Sequence, residues 1–429
     1  MTCSGNNATP PSPAIAPGAE VIDPRAAAER AALRGVDPRV TALLPAFDAP
    51  FFQAGLAGYS DAAMRLIARR HGCPFCVTEA LLDRTILAGG RGFAKADLGE
   101  LHENVPGGED DRPLAGQIMG SDPREMAAAA LKMVEQRARS DRAYRTLAYD
   151  AGTAPLGPLR LPGGTQLPPS PSEGQACGAP SPATFDVVDV NLACPVKKID
   201  RKARGGHWLR EPDGAIRLLE AVRENVPPSI PCTVKLRRAY DDTPEMAENA
   251  GRILDAAFRM GYAWATVHAR TVEQKYVGPS RWPILRDLVR RHPDGLIFGS
   301  GDVWGVDDIF RMIEFTGVAA VSVARGCIGN PWIFRQARDL LAGRDPRPPS
   351  LDEQRDVLRE HFHLALRVNS THRRPEELTG RVMRKFGIRF AAHHPEGERV
   401  RVRFARVTTL DDWHAVLDEF YPAEAGVAR

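Results

Sequence analysis

Between residues 51 and 326, short apolar runs alternate with longer amphipathic stretches. The runs are FFQAG (51–55), FCVTEA (75–80), PLAGQIMG (113–120), FDVVDVN (185–191), PCTVKLR (231–237), WATVHAR (264–270), LIFGSGD (296–302) and AAVSVARG (319–326). Most are continuously apolar rather than alternating, the pattern of strands buried on both faces of a parallel sheet. Between them, apolar positions spaced three and four apart predict helices over 60–70, 123–139, 212–225, 244–260, 281–292 and 306–315. Ser60 and Asp61 are N-cap candidates for the first. Eight β-type runs, each followed by helix, predict a (β/α)8 TIM barrel. An open doubly wound sheet is the alternative, but no G-x-G-x-x-G opens the first βα turn.

Two stretches break the alternation. Residues 139–184 are rich in Pro, Gly, Ala and Ser (APLGPLRLPGGTQLPPSPSEGQACGAPSP) and read as an inserted, mostly disordered loop. Residues 1–45 read as an Ala/Pro-rich, partly disordered leader with one helix. Beyond 335 the strand signal ends, and 351–368, 376–394 and 409–420 look helical. The expected organisation is a leader over 1–45, a barrel over 46–335 with the insertion, and a smaller all-α domain over 336–429.

Composition narrows the class. Apolar residues make up 43% of the chain, enough for a core, and the net charge is only +3. Any nucleic-acid contact therefore needs a local basic patch. No run of some twenty apolar residues suggests a membrane span. Seven scattered cysteines, an odd number, point to free thiols and a reducing, cytoplasmic setting. Cys73 and Cys76 form a C-x-x-C, but no second pair completes a metal site, so they read as buried or loop thiols.

In a TIM barrel, chemistry gathers where the strands end. The second run ends in Glu79, the third in Gln117, and the fourth in Asn191 with Cys194 just beyond. The fifth ends in Lys235 and Arg237, the sixth in His268 and Arg270, the seventh in Ser300, Gly301 and Asp302, and the eighth in Arg325 and Gly326. A lone lysine is usually a solvated cap and a lone histidine a satisfied core residue; agreement on one mouth is what shifts the reading. Glycines after the last two runs, before helix N-termini, suit a phosphate, and Arg325 adds a forked donor. With Lys235 and His268 they suggest flavin mononucleotide (FMN), the lysine facing the electron-rich N1/O2 edge of the reduced ring.

The segments AGLAGYSDAAMR, NLACPVKKIDRKARGG, TVKLR, TVHARTVEQKYVGPSRW, GSGDV and VARGCIGNPWIF, in this order, resemble the tRNA-dihydrouridine synthases, FMN-dependent TIM-barrel enzymes. The resemblance covers about 50–138 and 185–340, and more loosely RVMRKFGIRF and RFARVTTLDDWHAVLDEF near the C-terminus. It implies reduction of a uridine in tRNA to 5,6-dihydrouridine, with NADPH first reducing FMN. Carried over by position, Cys194 is the proton donor to C5 while hydride goes to C6. Asn191 is a base- and flavin-side contact; Gln117, Lys235 and His268 are ring contacts. Gly301, Arg325 and Gly326 form the phosphate site, flanked by Ser300 and Asp302. A monomer without metal is implied, with tRNA as partner.

Charge supports an RNA partner. Residues 196–210 hold six Lys/Arg against one Asp, and 367–406 hold eleven against four acids. A solvated helix face explains either cluster alone. Two fit an RNA clamped between mouth and appended domain, so Lys197, Lys198, Arg237, Arg270, Arg384 and Lys385 are the expected contacts. The two lysines after Cys194 are expected to point outward, leaving a protonated thiol. The chain departs from the family at Ala193 (usually Gly), at Ser300 (usually Asn), and at His207 and Trp208 (usually small); the insertion is also its own. A flavin barrel reducing a free pyrimidine or enone, and a non-catalytic tRNA chaperone, are the competing readings.

Overall fold

The computed structural model describes residues 21–88, 109–135, 141–149 and 185–422. Nine strands of these residues lie in one parallel sheet: β1 Phe51–Gln53, β2 Cys76–Val77, β3 Leu81–Leu82, β4 Leu114–Met119, β5 Val187–Leu192, β6 Cys232–Arg237, β7 Ala265–His268, β8 Ile297–Ser300 and β9 Ala320–Val323. Their order is β2-β1-β9-β8-β7-β6-β5-β4-β3, and a further pairing of β2 with β4 closes the ring. Eight strands form the barrel that the sequence predicts. The ninth, β3, continues the chain beyond β2 and lies along the end of β4, Leu81 opposite Ile118.

Period-two alternation sorts the side chains. In β5, Val188, Val190 and Leu192 face the surrounding helices, while Val187 and Asp189 face inward. The inside is layered. Its floor is aromatic, with Phe47 stacked on Phe75 at 5.1 Å and Trp264 on Phe298 at 5.0 Å. Above the floor, Gln117, Asp189, Thr233 and Lys235 surround a space of only about 10 Å³. The interior is thus packed core, and a ligand has to sit on the rim where the strands end.

The N-terminal segment is more ordered than a leader with one helix. Helix Pro24–Arg34, capped by Asp23, packs against helices Val306–Thr316 and Trp332–Leu341. A second helix, Pro38–Leu43, brings Val40 toward the aromatic floor beside Leu44 and Phe47. The first helix buries a face of alanine: Ala27, Ala28 and Ala31. Within the insertion, Asp141–Tyr149 is helix rather than loop. It lies against Pro123–Glu135, burying Tyr144 and Leu147, and the Tyr144 hydroxyl donates to Glu135 at 2.8 Å. Residues 1–20 and 150–184, on which the remaining expectations of disorder fall, lie outside the described residues, as do Cys3 and Cys177.

Beyond the barrel, helices Leu351–Val368, Pro375–Phe390, Gly397–Phe404 and Leu410–Phe420 gather around Phe362, Phe386, Phe404 and Trp413. Ser350 with Glu353, and Thr409 with Asp412, close capping boxes at the first and last of these helices. Helix Leu351–Val368 also packs on Ala62–Arg70, which follows β1, so this helical layer reaches the barrel. No helix of the described residues is long and apolar enough to cross a membrane.

Candidate active site

Parallel register sets the strand ends beside one another. Gln117 lies opposite Asp189, Asn191 opposite Lys235, Arg237 opposite His268, and His268 opposite Ser300. A chain of hydrogen bonds runs up through this layer. The Thr233 hydroxyl donates to Asp189 Oδ1 at 2.7 Å, and Gln117 Nε2 donates to Asp189 Oδ2 at 2.7 Å. Asn191 Nδ2 donates to Gln117 Oε1 at 2.6 Å. Asn191 Oδ1 in turn accepts from the amides of Ala193 at 2.9 Å and Cys194 at 3.1 Å. Four inward side chains thus fix the turn that carries the thiol. Asp189 and Thr233, polar residues inside apolar runs, are the members that sequence reasoning missed.

Cys194 is half-buried and protonated at neutral pH. Burial pushes its thiol up, against smaller opposing effects of the Val196 amide and the Arg237 guanidinium. Lys197 and Lys198 are exposed and are not among the groups acting on it. The loop after them folds back beneath the thiol, the Gly206 amide donating to the Cys194 carbonyl at 3.1 Å. Gly205 has φ +58, and a Cβ there would lie 2.8 Å from Cys194 Cβ. That position requires glycine.

Lys235 points into the same layer. Burial, then the nearby Arg237, push its ammonium down to about 8, while Asp189 opposes them. Among the described residues it has no hydrogen-bonded partner. His268 is held well below its usual range by burial and by the surrounding cations Arg237, Lys235, Arg270 and Arg325. Its ring is therefore neutral. Nδ1 accepts from the Arg270 amide at 3.2 Å, which leaves the ring proton on Nε2.

The glycine loops after β8 and β9 meet, since a Cβ on Gly326 would lie 2.4 Å from the Val303 carbonyl. Arg325 lies over the Trp304 ring at 4.4 Å and near Tyr276 at 4.8 Å, with Asp302 3.5 Å away. Among the described residues, two buried donors there lack partners, Ser280 Oγ and Arg270 Nη1. Both are suited to an anion at the Gly301 turn.

Residues 175–419 match the model of the dihydrouridine synthase family, more than half of the chain. The chain belongs to that family. A probable tRNA-dihydrouridine synthase of Mycobacterium leprae is 32% identical over 236 residues, 54% of this chain and 59% of that protein. The probable tRNA-dihydrouridine synthase of Treponema pallidum is 28% identical over 382 residues, 86% of this chain and 93% of that protein. The tRNA-dihydrouridine synthase B of Pseudomonas putida is 26% identical over 364 residues, 84% of this chain and 87% of that protein. Against the mycobacterial relatives, the matched part spans about three fifths of their length. Among solved structures, the old yellow enzyme from Trypanosoma cruzi is 12% identical at a TM-score of 0.39, covering 68% of this chain and 88% of that chain, too slight a likeness to bear on function.

In this member of the family, the structure redistributes several expected RNA contacts. Arg237 is buried, with Nε donating to the Ala193 carbonyl at 2.9 Å and Nη1 to the Thr271 and Lys275 carbonyls at 2.7 Å. Arg270 is buried on Asp302, at 2.6 and 2.7 Å, and on the Gly278 carbonyl. Both tie loops together at the rim rather than facing outward. Asp302 correspondingly stands behind the glycine loop, where it also accepts from the Ser280 amide at 2.8 Å. Arg384 donates to the Val407 carbonyl, and Lys385 lies 4.5 Å over the Tyr59 ring. Within the basic loop, Arg204 is buried on Asp83 at 3.2 Å. Lys197, Lys198, Arg201 and Lys202 remain exposed.

The family departures have local explanations. Trp208 is buried under the turn Gly205–Leu209, its Nε1 donating to the Gly120 carbonyl at 3.1 Å. Gly214 makes room for it, because a Cβ there would lie 2.5 Å from the ring. His207 sits 3.2 Å from Glu211 and 3.7 Å from Asp200. Ala193 is not among the residues with positive φ, so its turn accepts alanine. For Ser300 nothing in the structure explains the exchange.

Proposed function

We propose that the chain is an FMN-dependent tRNA-dihydrouridine synthase that reduces a uridine in tRNA at the expense of NADPH, in the cytoplasm. The observation that carries this reading is the protonated, half-buried thiol of Cys194, fixed by the Asn191–Gln117–Asp189 chain in the layer that also holds an unpartnered Lys235 ammonium. The rim residues fit FMN. The Lys235 ammonium suits the N1/O2 edge, neutral His268 offers Nε2–H, and Ser280 Oγ and Arg270 Nη1 suit the phosphate at Gly301, with Arg325 and Gly326 beside it. When bound, FMN supplies hydride to C6 of the uracil.

The chain's own part is to hold the base and deliver one proton. Lys235 stabilises negative charge at its edge of the site. Cys194 gives its Sγ proton to C5 as the C5=C6 double bond becomes single, and the thiolate is reprotonated from solvent. Lys197 and Lys198 neutralise RNA phosphate beyond the mouth.

Cys194→Ala is expected to keep FMN and NADPH oxidation and to lower dihydrouridine formation in unmodified tRNA by at least roughly a hundredfold. Dihydrouridine at the normal rate in that variant would remove Cys194 from the mechanism. The same assay on free uridine separates this reading from a free-pyrimidine reductase: tRNA is expected to react and uridine not to.

A further inference from the structure

An open cleft of about 480 Å³ lies immediately beside Cys194, with Pro195 in its wall. Its lining carries the cations Lys197, Arg201, Arg210 and Lys275 against the carboxylates Asp200 and Glu273, a net charge of four minus two. The flank opposite the basic loop is built before any ligand arrives. The Val272 amide donates to the Ala239 carbonyl at 3.1 Å and the Glu273 amide to the Tyr240 carbonyl at 3.0 Å. Arg237 clamps the Lys275 carbonyl at 2.7 Å, and Lys275 itself takes a left-handed φ of 50°. A turn held this way fixes where the lysine leaves the backbone.

Arg210 is the unusual member. Its guanidinium carbon lies 3.6 Å from the Tyr240 ring centroid, and the group donates to the phenol oxygen. The phenol in turn donates to Asp200 at 3.4 Å. Tyr240 is buried while Arg210 is exposed, so the cation is anchored on an aromatic base and still borders the cleft. A supported guanidinium plane is a platform for an unpaired nucleobase, and surrounding cations suit its phosphate.

We propose that this cleft receives the nucleotide next to the reacting base in the RNA strand, its base against the anchored Arg210 guanidinium and its phosphate on Lys275 and Arg201. This rests on the reading of RNA as substrate. The cleft is open to solvent and starts one residue from the thiol, within reach of a strand whose uracil enters the mouth. Glu273 works against such a ligand and limits its affinity.

The test is binding of unmodified tRNA to the FMN-loaded protein, followed by fluorescence anisotropy across a salt series. Arg210→Ala is expected to weaken binding roughly tenfold. Arg210→Lys keeps the charge and the salt slope but loses the plane, and is expected to bind more weakly than wild type. Lys275→Ala is expected to reduce the log–log salt slope by about 0.7. Glu273→Gln is expected to tighten binding roughly twofold, a gain that a purely structural role would not produce. The KM for NADPH stays unchanged in all four. Wild-type affinity and slope in Arg210→Ala and Lys275→Ala would overturn the cleft alone. So would an altered KM for NADPH with tRNA binding intact, which would assign the cleft to the dinucleotide. Wild-type protein that fails to bind tRNA would overturn the substrate reading and the cleft with it.

Discussion

At the scale of single residues, the least comfortable group is Lys235. Its ammonium is half-buried, faces Arg237 and has only Asp189 to offset that, which holds it at about 8. The folded value lies below the ordinary one, so keeping the charge opposes folding at neutral pH, and this cost fades as pH rises past about 8. On the proposed FMN reading, negative charge developing on the flavin would have the opposite effect and draw the proton back, so the ammonium would be charged for reduced flavin below about pH 8. Spectroelectrochemical titration of the FMN-loaded protein is expected to give Lys235→Met a lower midpoint potential than wild type at neutral pH. That gap should narrow in alkali. A gap that does not change with pH would mean that Lys235 acts through packing and not through its charge.

At the scale of elements, the turn Gly205–Leu209 shows how a departure from family pattern can be structural. Trp208 fills the space between the end of β4 and helix Pro212–Asn225, and Gly214 is small because the indole lies over it. Trp208→Ala is expected to cost about 3–5 kcal/mol in chemical denaturation. His207→Ala, at the half-buried neighbour, should change stability by less than about 1 kcal/mol. Equal losses for both would show that the turn, and not the buried ring, carries the stability. The eight barrel strands were legible because strands buried on both faces are apolar without interruption. Helices Pro212–Asn225 and Leu351–Val368 fall at the residues their periodicity indicates. One helix of the N-terminal segment was legible and the second was not, and a charged, Pro-rich neighbourhood hid Asp141–Tyr149. Strand ends predicted which polar residues meet at the mouth, because period two decides facing. They did not predict where long side chains finish. Arg237 and Arg270 leave their strand ends at the mouth, yet each has enough reach to satisfy loop carbonyls, and buried carbonyls and carboxylates outcompete an exposed rim position.

At the scale of the whole molecule, the helical layer and the barrel share an interface whose polar groups are poorly matched. Helix Leu351–Val368 packs on Ala62–Arg70, and Tyr59 from the barrel meets Phe386 edge-on at 5.5 Å. Lys385 lies over both rings, held below its usual range by burial, with Asp61 and Glu79 offsetting part of that loss. His361 sits in the same layer against Phe386 at 4.5 Å and Phe390 at 6.1 Å, and neither ring nitrogen has a hydrogen-bond partner among the described residues. Burial, then the Lys385 charge, hold its imidazole down at about 3. The folded value lies below the unfolded one, so the unfolded chain takes up this proton first. The contribution of His361 to stability is complete above about pH 6.5 and declines by about 1.4 kcal/mol per unit as pH falls toward the folded value. Between pH 7 and pH 5 that amounts to roughly 2 kcal/mol. His361→Leu removes the titration while filling much of the same space. Urea denaturation at the two pH values should therefore show a smaller acid loss in the variant than in wild type, by about that amount. An identical loss in both proteins would place the acid sensitivity elsewhere. A larger loss in wild type, with FMN retained at both pH values, would locate it at the contact between helical layer and barrel, away from the site at the mouth.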